Sequence, residues 1–327
     1  MNSEDAVAEF ERKYEKEKPM YKAWGEYVLE YIKKQLHLSL QEQQQIIKVL
    51  FPPRVKDTDS IIAKAFYRKG KNYTDPINQI TDKVGIRFVV MVTNQIKIIE
   101  DVIKEATIWK YSKDQDYQDK IEEKPDVFGY QSVHYVVRNI NEIHCDGIII
   151  KAGTACEIQI RTLEQHAYAE LSHDYFYKND DSIASTLRRS LARSMALNET
   201  TDELFSKVYD MMSKEKQEYT ELMSVLRTKY PFERYSEKLN KSIYDNTLDM
   251  IKKYNVDGLK MEDYIQKFMI DNIQARQDLA LFRQPIVLIL YFLVECHHHE
   301  LLEVWEQPKQ QLELIFSDLG IAYDDWI

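Results

Sequence analysis

Residues 84–92, VGIRFVVMV, form a near-continuous apolar run, the pattern of a strand covered on both faces. Such a strand demands a sheet with helices packed on it. The surrounding sequence supplies them. In NQIKIIEDVIKEA (94–106), Asn94 is a candidate cap and Ile96, Ile99, Val102 and Ile103 make an inward helical stripe. QSVHYVV (131–137) and ACEIQIR (155–161) alternate with a period of two, and GIIIKAG (147–153) follows a Cys145-Asp146-Gly147 turn signal. Thr162 and Gln165 have capping-box spacing, so a helix should begin directly after the last strand. The expected fold is α/β (α+β), a mixed central sheet of about four to five strands flanked by helices.

Upstream, Met20, Trp24, Val28, Tyr31, Ile32 and Leu36 recur at helical spacing. SLQE (39–42) should open a second, short helix that Pro52-Pro53 ends. SIIAKAFYRK (60–69) reads as a helix with Ile61, Ile62, Ala65 and Phe66 inward. Beyond about residue 180 the strand signals stop and amphipathic helix dominates, with PIVLILYFLVE (285–295) as a buried helix. The expected domains are therefore 1–180, with 1–50 as a helical lead-in, and an all-helical 181–327. Only 8 glycines and 8 prolines in 327 residues argue against long flexible linkers.

Three cysteines, Cys145, Cys156 and Cys296, make neither a disulfide framework nor a zinc-ligand spacing, which predicts a reduced, cytoplasmic compartment. The first residues lack the apolar stretch of a signal peptide, and the run from Ile286 to Val294 is far short of the roughly 20 residues that span a bilayer. No membrane partner is expected. A net charge of −10 repels polyanions from the surface as a whole, so a phosphorylated ligand must be held by a local basic cluster.

Four stretches carry candidate chemistry. In RVKDTDSIIAKAFYRK (54–69), Ser60, Lys64 and Arg68 fall at i, i+4 and i+8, and Arg54 and Lys56 precede them. The cluster suits a triphosphate, although spacing alone equally describes a solvated basic face. In DKVGIRFVV (82–90), Asp82 stands just before the buried strand with Gly85 and Arg87 close behind, a position for a metal ligand or an ordinary turn aspartate. In FGYQSVHYVV (128–137), Tyr130, Ser132 and His134 share one strand face, offering an aromatic plane, a hydroxyl and an imidazole. In the last strand, Glu157, Gln159 and Arg161 oppose Cys156, Ile158 and Ile160, and the next helix projects His166, Glu170, His173 and Tyr177. Asp82 and Glu157 could jointly hold Mg²⁺, which takes one or two carboxylates plus substrate phosphates.

These stretches in this order resemble the synthetase domain of the RelA/SpoT alarmone family over roughly residues 50–178. The most specific element is Glu157 to Thr162 followed by Ala169, Leu171, His173, Tyr177 and Lys178. The resemblance implies Mg²⁺-dependent transfer of pyrophosphate from ATP to the 3′-hydroxyl of GTP or GDP, making (p)ppGpp. It implies ATP contacts from Arg54, Lys56, Ser60, Lys64, Arg68 and Arg87, with Asp82 and Glu157 catalytic and metal-binding. Tyr130 stacks on the acceptor base in this reading. His134, Gln159, Arg161 and Ala169 complete the acceptor site, and Glu157 takes the proton of the attacking hydroxyl.

The sequence departs from the family at the basic loop before Gly129-Tyr130. Here KDQDYQDKIEEKPDVFGYQS (113–132) holds more acids than bases and leaves Lys120 and Lys124 as phosphate contacts. No hydrolase metal set of the family precedes residue 50, which predicts synthesis without degradation. Three functions compete. One is a monofunctional small alarmone synthetase. A second is a toxin-type relative acting on the 3′ end of tRNA or on adenine nucleotides, in a toxin–antitoxin or phage-defence setting. The third is a non-catalytic binding module. The altered loop favours the second, whereas the acidic balance opposes tRNA, for which only Lys151, Arg188, Arg189 and Arg193 offer cations. The helical C-terminal part could serve a homo-oligomer or a regulatory protein partner. His297 to His299 receive no role.

Overall fold

The computed structural model describes residues 3–36, 44, 46–68, 73–124, 126–129, 131–176 and 185–323. Two compact units divide the chain, Met1–Tyr209 and Asp210–Ile327. The boundary expected at 180/181 lies outside the described residues.

The first unit opens with helix α1 (Ser3–Gln35), then strands β1 (Ile47–Leu50) and β2 (Arg54–Val55), helix α2 (Thr58–Ile62) and short α3 (Pro76–Gln79). Next come β3 (Val84–Val90), α4 (Asn94–Glu105), β4 (Trp109–Gln115), α5 (Tyr117–Glu123), β5 (Val133–Asn139), β6 (Ile143–Cys145), β7 (Ile148–Ile150), β8 (Ala155–Thr162) and α6 (Leu163–Phe176). The sheet has six strands in the order β1-β3-β8-β5-β4, with β2 also on β3. Only β3 and β8 run parallel; β1, β2, β5 and β4 pair antiparallel with their neighbours. The sheet is thus mixed, as the sequence predicts, and its extra edge strands are short. β6 and β7 form a separate hairpin. Its turn places Asp146 and Gly147 at φ 48° and 77°, the left-handed pair that a two-residue hairpin turn requires.

One face of the sheet is a closed apolar core. Val84, Ile86 and Phe88 of β3, Ile158 and Ile160 of β8, and Val133, Tyr135 and Val137 of β5 are buried against Trp24, Val28 and Ile32 of α1 and Ile96, Ile99 and Ile103 of α4. Gly25 permits the close approach of α1: a β-carbon there would lie 2.7 Å from Pro53 Cβ and from Val84 Cγ2. The other face of β3, β8 and β5 carries the polar residues, because alternate side chains point to opposite faces.

Two local expectations are corrected. Ile47–Leu50 is a strand paired to β3 rather than part of a second helix, because its amides bond across the sheet edge; the capping pattern at 39–42 lies outside the described residues. After α2 the chain widens into a π-helical turn, Ala63–Tyr67, and Arg68 is already extended at φ −76°, ψ 119°. Ser60, Lys64 and Arg68 therefore share no helix face, since the wider turn breaks the i, i+4 register. Phe66, expected inward, is exposed and meets the ring of Phe10 edge-on, while Ile61 and Ala65 are buried.

Helix α7 (Ser185–Lys229) runs through the unit boundary. Leu191 and Met195 on its first part pack on Tyr168 of α6. The second unit adds α8 (Glu237–Lys253), α9 (Gly258–Tyr264), α10 (Lys267–Ala275), α11 (Val287–Val304) and α12 (Gln310–Leu319). The apolar run at its centre is the expected buried helix, with every residue from Val287 to Val294 buried. Asn240 of α8 is fully buried and donates to Tyr219 Oη at 2.9 Å while accepting from Ile286 N at 3.0 Å. Helix α11 kinks at His297, whose ring stacks on Tyr254 with centroids 3.4 Å apart.

Candidate active site

The site grows from the parallel pairing of β3 with β8. Register sets Gly85 opposite Glu157, Arg87 opposite Gln159, and Val89 opposite Arg161; across β8, Gln159 faces His134. Gly85 has no side chain to fill the space beside Glu157. A β-carbon there would lie 3.8 Å from Glu157 Oε2, so a larger residue would take the room that the carboxylate looks into.

Glu157 is held at both oxygens. Oε1 lies 3.2 Å from His134 Nδ1, and Oε2 accepts from Gln159 Nε2 at 2.8 Å. Burial pushes its pKa up, but these two partners outweigh it and leave the carboxyl below its ordinary range. An ionised carboxylate only accepts, so His134 carries its proton on Nδ1. Gln159 is oriented in turn, since its Oε1 accepts from Arg87 Nε at 3.3 Å and Arg161 Nη2 at 2.8 Å. Arg161 also donates through Nε to Ser132 Oγ at 3.2 Å, and Arg87 Nη1 reaches Glu170 Oε1 at 2.7 Å. Two guanidiniums and one carboxylate thus converge on one amide, and a second carboxylate holds the Arg87 guanidinium.

Asp82 sits at the end of β3 nearest Gly85. Its Oδ2 meets Lys56 Nζ at 2.6 Å and Lys64 Nζ at 2.7 Å. Burial works against the charge, but the two ammonium groups hold the pKa below the usual value. Lys56 is fixed by its backbone: its N donates to Lys83 O at 2.9 Å, and its O accepts from Tyr14 Oη at 2.6 Å. Lys64 comes from the π turn and is half-buried between exposed Ala63 and buried Ala65 in sequence. The negative charge of Asp82 raises the pKa of Glu157, so the two carboxylates lie within electrostatic reach. Asp82 Oδ1 is buried and accepts no hydrogen bond among the described residues. Two carboxylates on neighbouring strand segments, one with an open buried oxygen, fit a divalent cation completed by substrate phosphates.

Arg54, Ser60 and Arg68 are exposed, and the Ser60 amide is taken by the Asp57 cap at 2.8 Å. Lys124 is exposed after α5; Tyr130, Tyr177, Lys178 and the side chains of Lys120 and His173 lie outside the described residues. Ala169 is buried within α6, where its methyl offers a ligand no surface. Sequence reading missed Phe51. Its ring lies edge-on to His166, centroids 5.3 Å apart, and Arg87 Cζ stands 5.4 Å from its centroid. Nothing in the Leu50-Phe51-Pro52 string signals that placement, which depends on β1 pairing with β3.

Residues 53–182 match the family described as "Region found in RelA / SpoT proteins". Over that stretch the chain is similar to RelA/SpoT proteins. Over 152 residues it is 28% identical to the GTP pyrophosphokinase YwaC of Bacillus subtilis (strain 168), covering 46% of this chain and 68% of that protein. Over 62% of this chain and 98% of the other, its fold is similar to that of the small alarmone synthetase 1 of Bacillus subtilis, with a TM-score of 0.51 at 24% identity. A GTP pyrophosphokinase family protein from Streptococcus pneumoniae aligns at 24% identity over 66% of this chain and 97% of its own, with a TM-score of 0.49. The RelA/SpoT region holds every strand from β3 to β8 and all of the Asp82–Glu157 site. Among the described residues, no helix is long and apolar enough to cross a membrane.

Proposed function

We propose that the RelA/SpoT region transfers pyrophosphate from ATP to the 3′-hydroxyl of GTP or GDP. The supporting observation is the placement of Asp82 just before β3 and of Glu157 on neighbouring β8, opposite Gly85, with Lys56 and Lys64 on the first carboxylate and Gln159 and His134 on the second. In this reaction the acceptor oxygen attacks the β-phosphorus of ATP, the bond from that phosphorus to the α–β bridging oxygen breaks, and AMP leaves. Glu157 accepts the hydroxyl proton, being ionised and fixed on a central strand. Transfer of this kind rests on positioning and charge neutralisation rather than covalent catalysis.

Asp82 and Glu157 would hold Mg²⁺, which supplies neutralisation of phosphate charge when bound. Lys56 and Lys64 then serve the donor phosphates, since a cation at Asp82 competes with them for the carboxylate. Arg87 stands above Phe51 and beside His166, a stacking platform at the donor side. Such an enzyme works in the cytoplasm, where both nucleotides are found, and synthesises without hydrolysing.

A second acceptor class is favoured by one observation. In the acceptor loop before Tyr130, the described side chains of Asp119, Glu122, Glu123 and Asp126 are exposed beside that of Lys124, and the sequence adds Lys120. That balance is unfavourable for a guanosine triphosphate and suits an adenine nucleotide with fewer phosphates, whereas the 3′ end of a tRNA would have to be held by cations outside this loop. One assay separates the readings. Purified protein with Mg²⁺ and β-labelled ATP is offered GTP, GDP, AMP, ATP or deacylated tRNA. Label on GTP or GDP supports the first reading, label on another acceptor replaces it with the second, and label on none refutes transferase activity.

A further inference from the structure

The polar face of the first unit continues, beyond the reacting groups, into a buried ring of side chains closed by helix α7. Glu199 Oε2 accepts from Gln131 Nε2 at 3.1 Å, and Gln131 Oε1 accepts from Gln165 Nε2 at 3.5 Å. Gln165 and Thr162 cap each other reciprocally: Thr162 N donates to Gln165 Oε1, and Gln165 N donates to Thr162 Oγ1, both at 3.1 Å. Thr162 Oγ1 then donates to Asp202 Oδ2 at 2.7 Å. Glu199 and Asp202 are three residues apart, hence on one face of α7. Gln131, Thr162, Gln165 and Asp202 are all buried, so each bond is made in a setting where losing it leaves a polar group unpaired.

The two gripped points have meaning for the site. Gln131 adjoins Ser132, and Thr162 adjoins Arg161, and Arg161 donates to Ser132. From Arg161 the contacts run to Gln159 and from Gln159 to Glu157. Gln131 also directly follows Tyr130, at the end of the acceptor loop. No bond in this ring reaches Asp82, Lys56 or Lys64.

We propose that Glu199 and Asp202 are positioning residues: α7 bolts the end of the acceptor loop and the end of β8 in place, so acceptor binding depends on this helix and donor binding does not. The inference rests on the pyrophosphate-transfer reading for its kinetic arm only. Full-length wild type, E199A, T162V and T162S are compared. With GDP as acceptor, E199A, which loses one hydrogen bond, should raise the KM for GDP about tenfold, and T162V, which loses two, by at least as much, with the KM for ATP unchanged. T162S, which keeps the hydroxyl, should behave as wild type. A KM for ATP that rises as much as that for GDP overturns the proposal, as does T162S failing like T162V. Hydrogen exchange followed by mass spectrometry provides the arm that needs no activity. E199A should speed exchange across 126–133 and leave 54–68 unchanged; equal exchange of 126–133 in E199A and wild type overturns the clamp even if no acceptor is ever labelled. If wild type labels no acceptor yet exchange responds as stated, the transfer reading fails and the clamp stands.

Discussion

Glu157→Gln separates chemistry from packing at the centre of the proposed site. The carboxylate contacts two partners of different kinds, a ring nitrogen at 3.2 Å and an amide donor at 2.8 Å. Glutamine can satisfy both: its Oε1 accepts from Gln159 Nε2, and its Nε2 donates to His134 once that ring moves its proton from Nδ1 to Nε2. No atom is lost and no buried donor is orphaned, so the fold should persist. What disappears is the negative charge and the ability to take a proton. A positioned general base is worth about 10²- to 10⁴-fold, which is about 3–5 kcal/mol of transition-state stabilisation at ~1.36 kcal/mol per factor of ten. Removing a shared cation ligand acts in the same direction.

The measurement is the initial rate of label transfer from β-labelled ATP to GDP at saturating Mg²⁺, with AMP release as the second product. Far-UV circular dichroism and thermal unfolding serve as the folding control. E157Q should melt near wild type at pH 7 while its rate falls by at least about a hundredfold. A folded E157Q with more than a tenth of the wild-type rate would refute the base assignment and, with it, the reading of β8 as a catalytic strand. Glu157→Ala is the weaker test, because it strands the Gln159 donor and His134 together and confounds packing with chemistry.

The other tests probe supports of the same site. D82N should abolish transfer and also free Lys56 and Lys64 from their shared partner, which a weakened dependence of rate on Mg²⁺ concentration in K56M would corroborate. Both carboxyls have depressed pKa values, so they add stability above their ordinary range, and that stability is lost as pH falls through the lower folded values. The acid limb of the pH–rate profile should therefore lie below the usual carboxylate range, and a limb above it would count against Glu157. Asp202 has the opposite sign: burial pushes its carboxyl up to about 6, so its ionisation at pH 7 opposes folding. D202N, which can still accept from Thr162, should raise the unfolding free energy of the first unit at pH 7, measured by urea denaturation, by about 3 kcal/mol at most, and the gain should vanish near pH 4. G25A should destabilise that unit by about 1–3 kcal/mol in urea, since its new methyl meets Pro53 and Val84 at 2.7 Å.

Why some of this was readable in the sequence follows from the kind of interaction involved. VGIRFVVMV had to be central because only a two-sided sheet position hides so many consecutive apolar residues, and it pairs on both edges. Glu157 and Gln159 could be placed on one face because strand periodicity is two, and the Thr162–Gln165 box closes reciprocally as its spacing predicts. Helical periodicity failed at Arg68 for an equally definite reason: a π turn over 63–67 has no propensity signature, so Ser60, Lys64 and Arg68, spaced for one face, are divided. The edge strand Ile47–Leu50 followed a capping pattern that named a helix, and its pairing to Phe88–Val90 outweighs that local preference.

The contacts least visible in sequence are the ones that join distant segments through single polar atoms. Glu199 and Asp202 read as ordinary acids on a charged helix, yet their partners lie 68 and 40 residues away. This bears on how the RelA/SpoT region and α7 can be divided. The matched region ends at residue 182, before α7 begins, but the hydrogen bonds that fix Gln131 and Thr162 come from residues 199 and 202. A chain cut at 180 would keep every residue proposed to touch a nucleotide and still lose both bonds. It should retain ATP binding by equilibrium dialysis, because Lys56 and Lys64 are held by Tyr14, Lys83 and Asp82 within the retained part. Its GDP binding should fall by at least about tenfold, the effect of losing one buried hydrogen bond. Cutting instead at 209 preserves the ring, so a 1–209 chain that binds GDP no better than 1–180 would show that the helix acts through something other than these two acids.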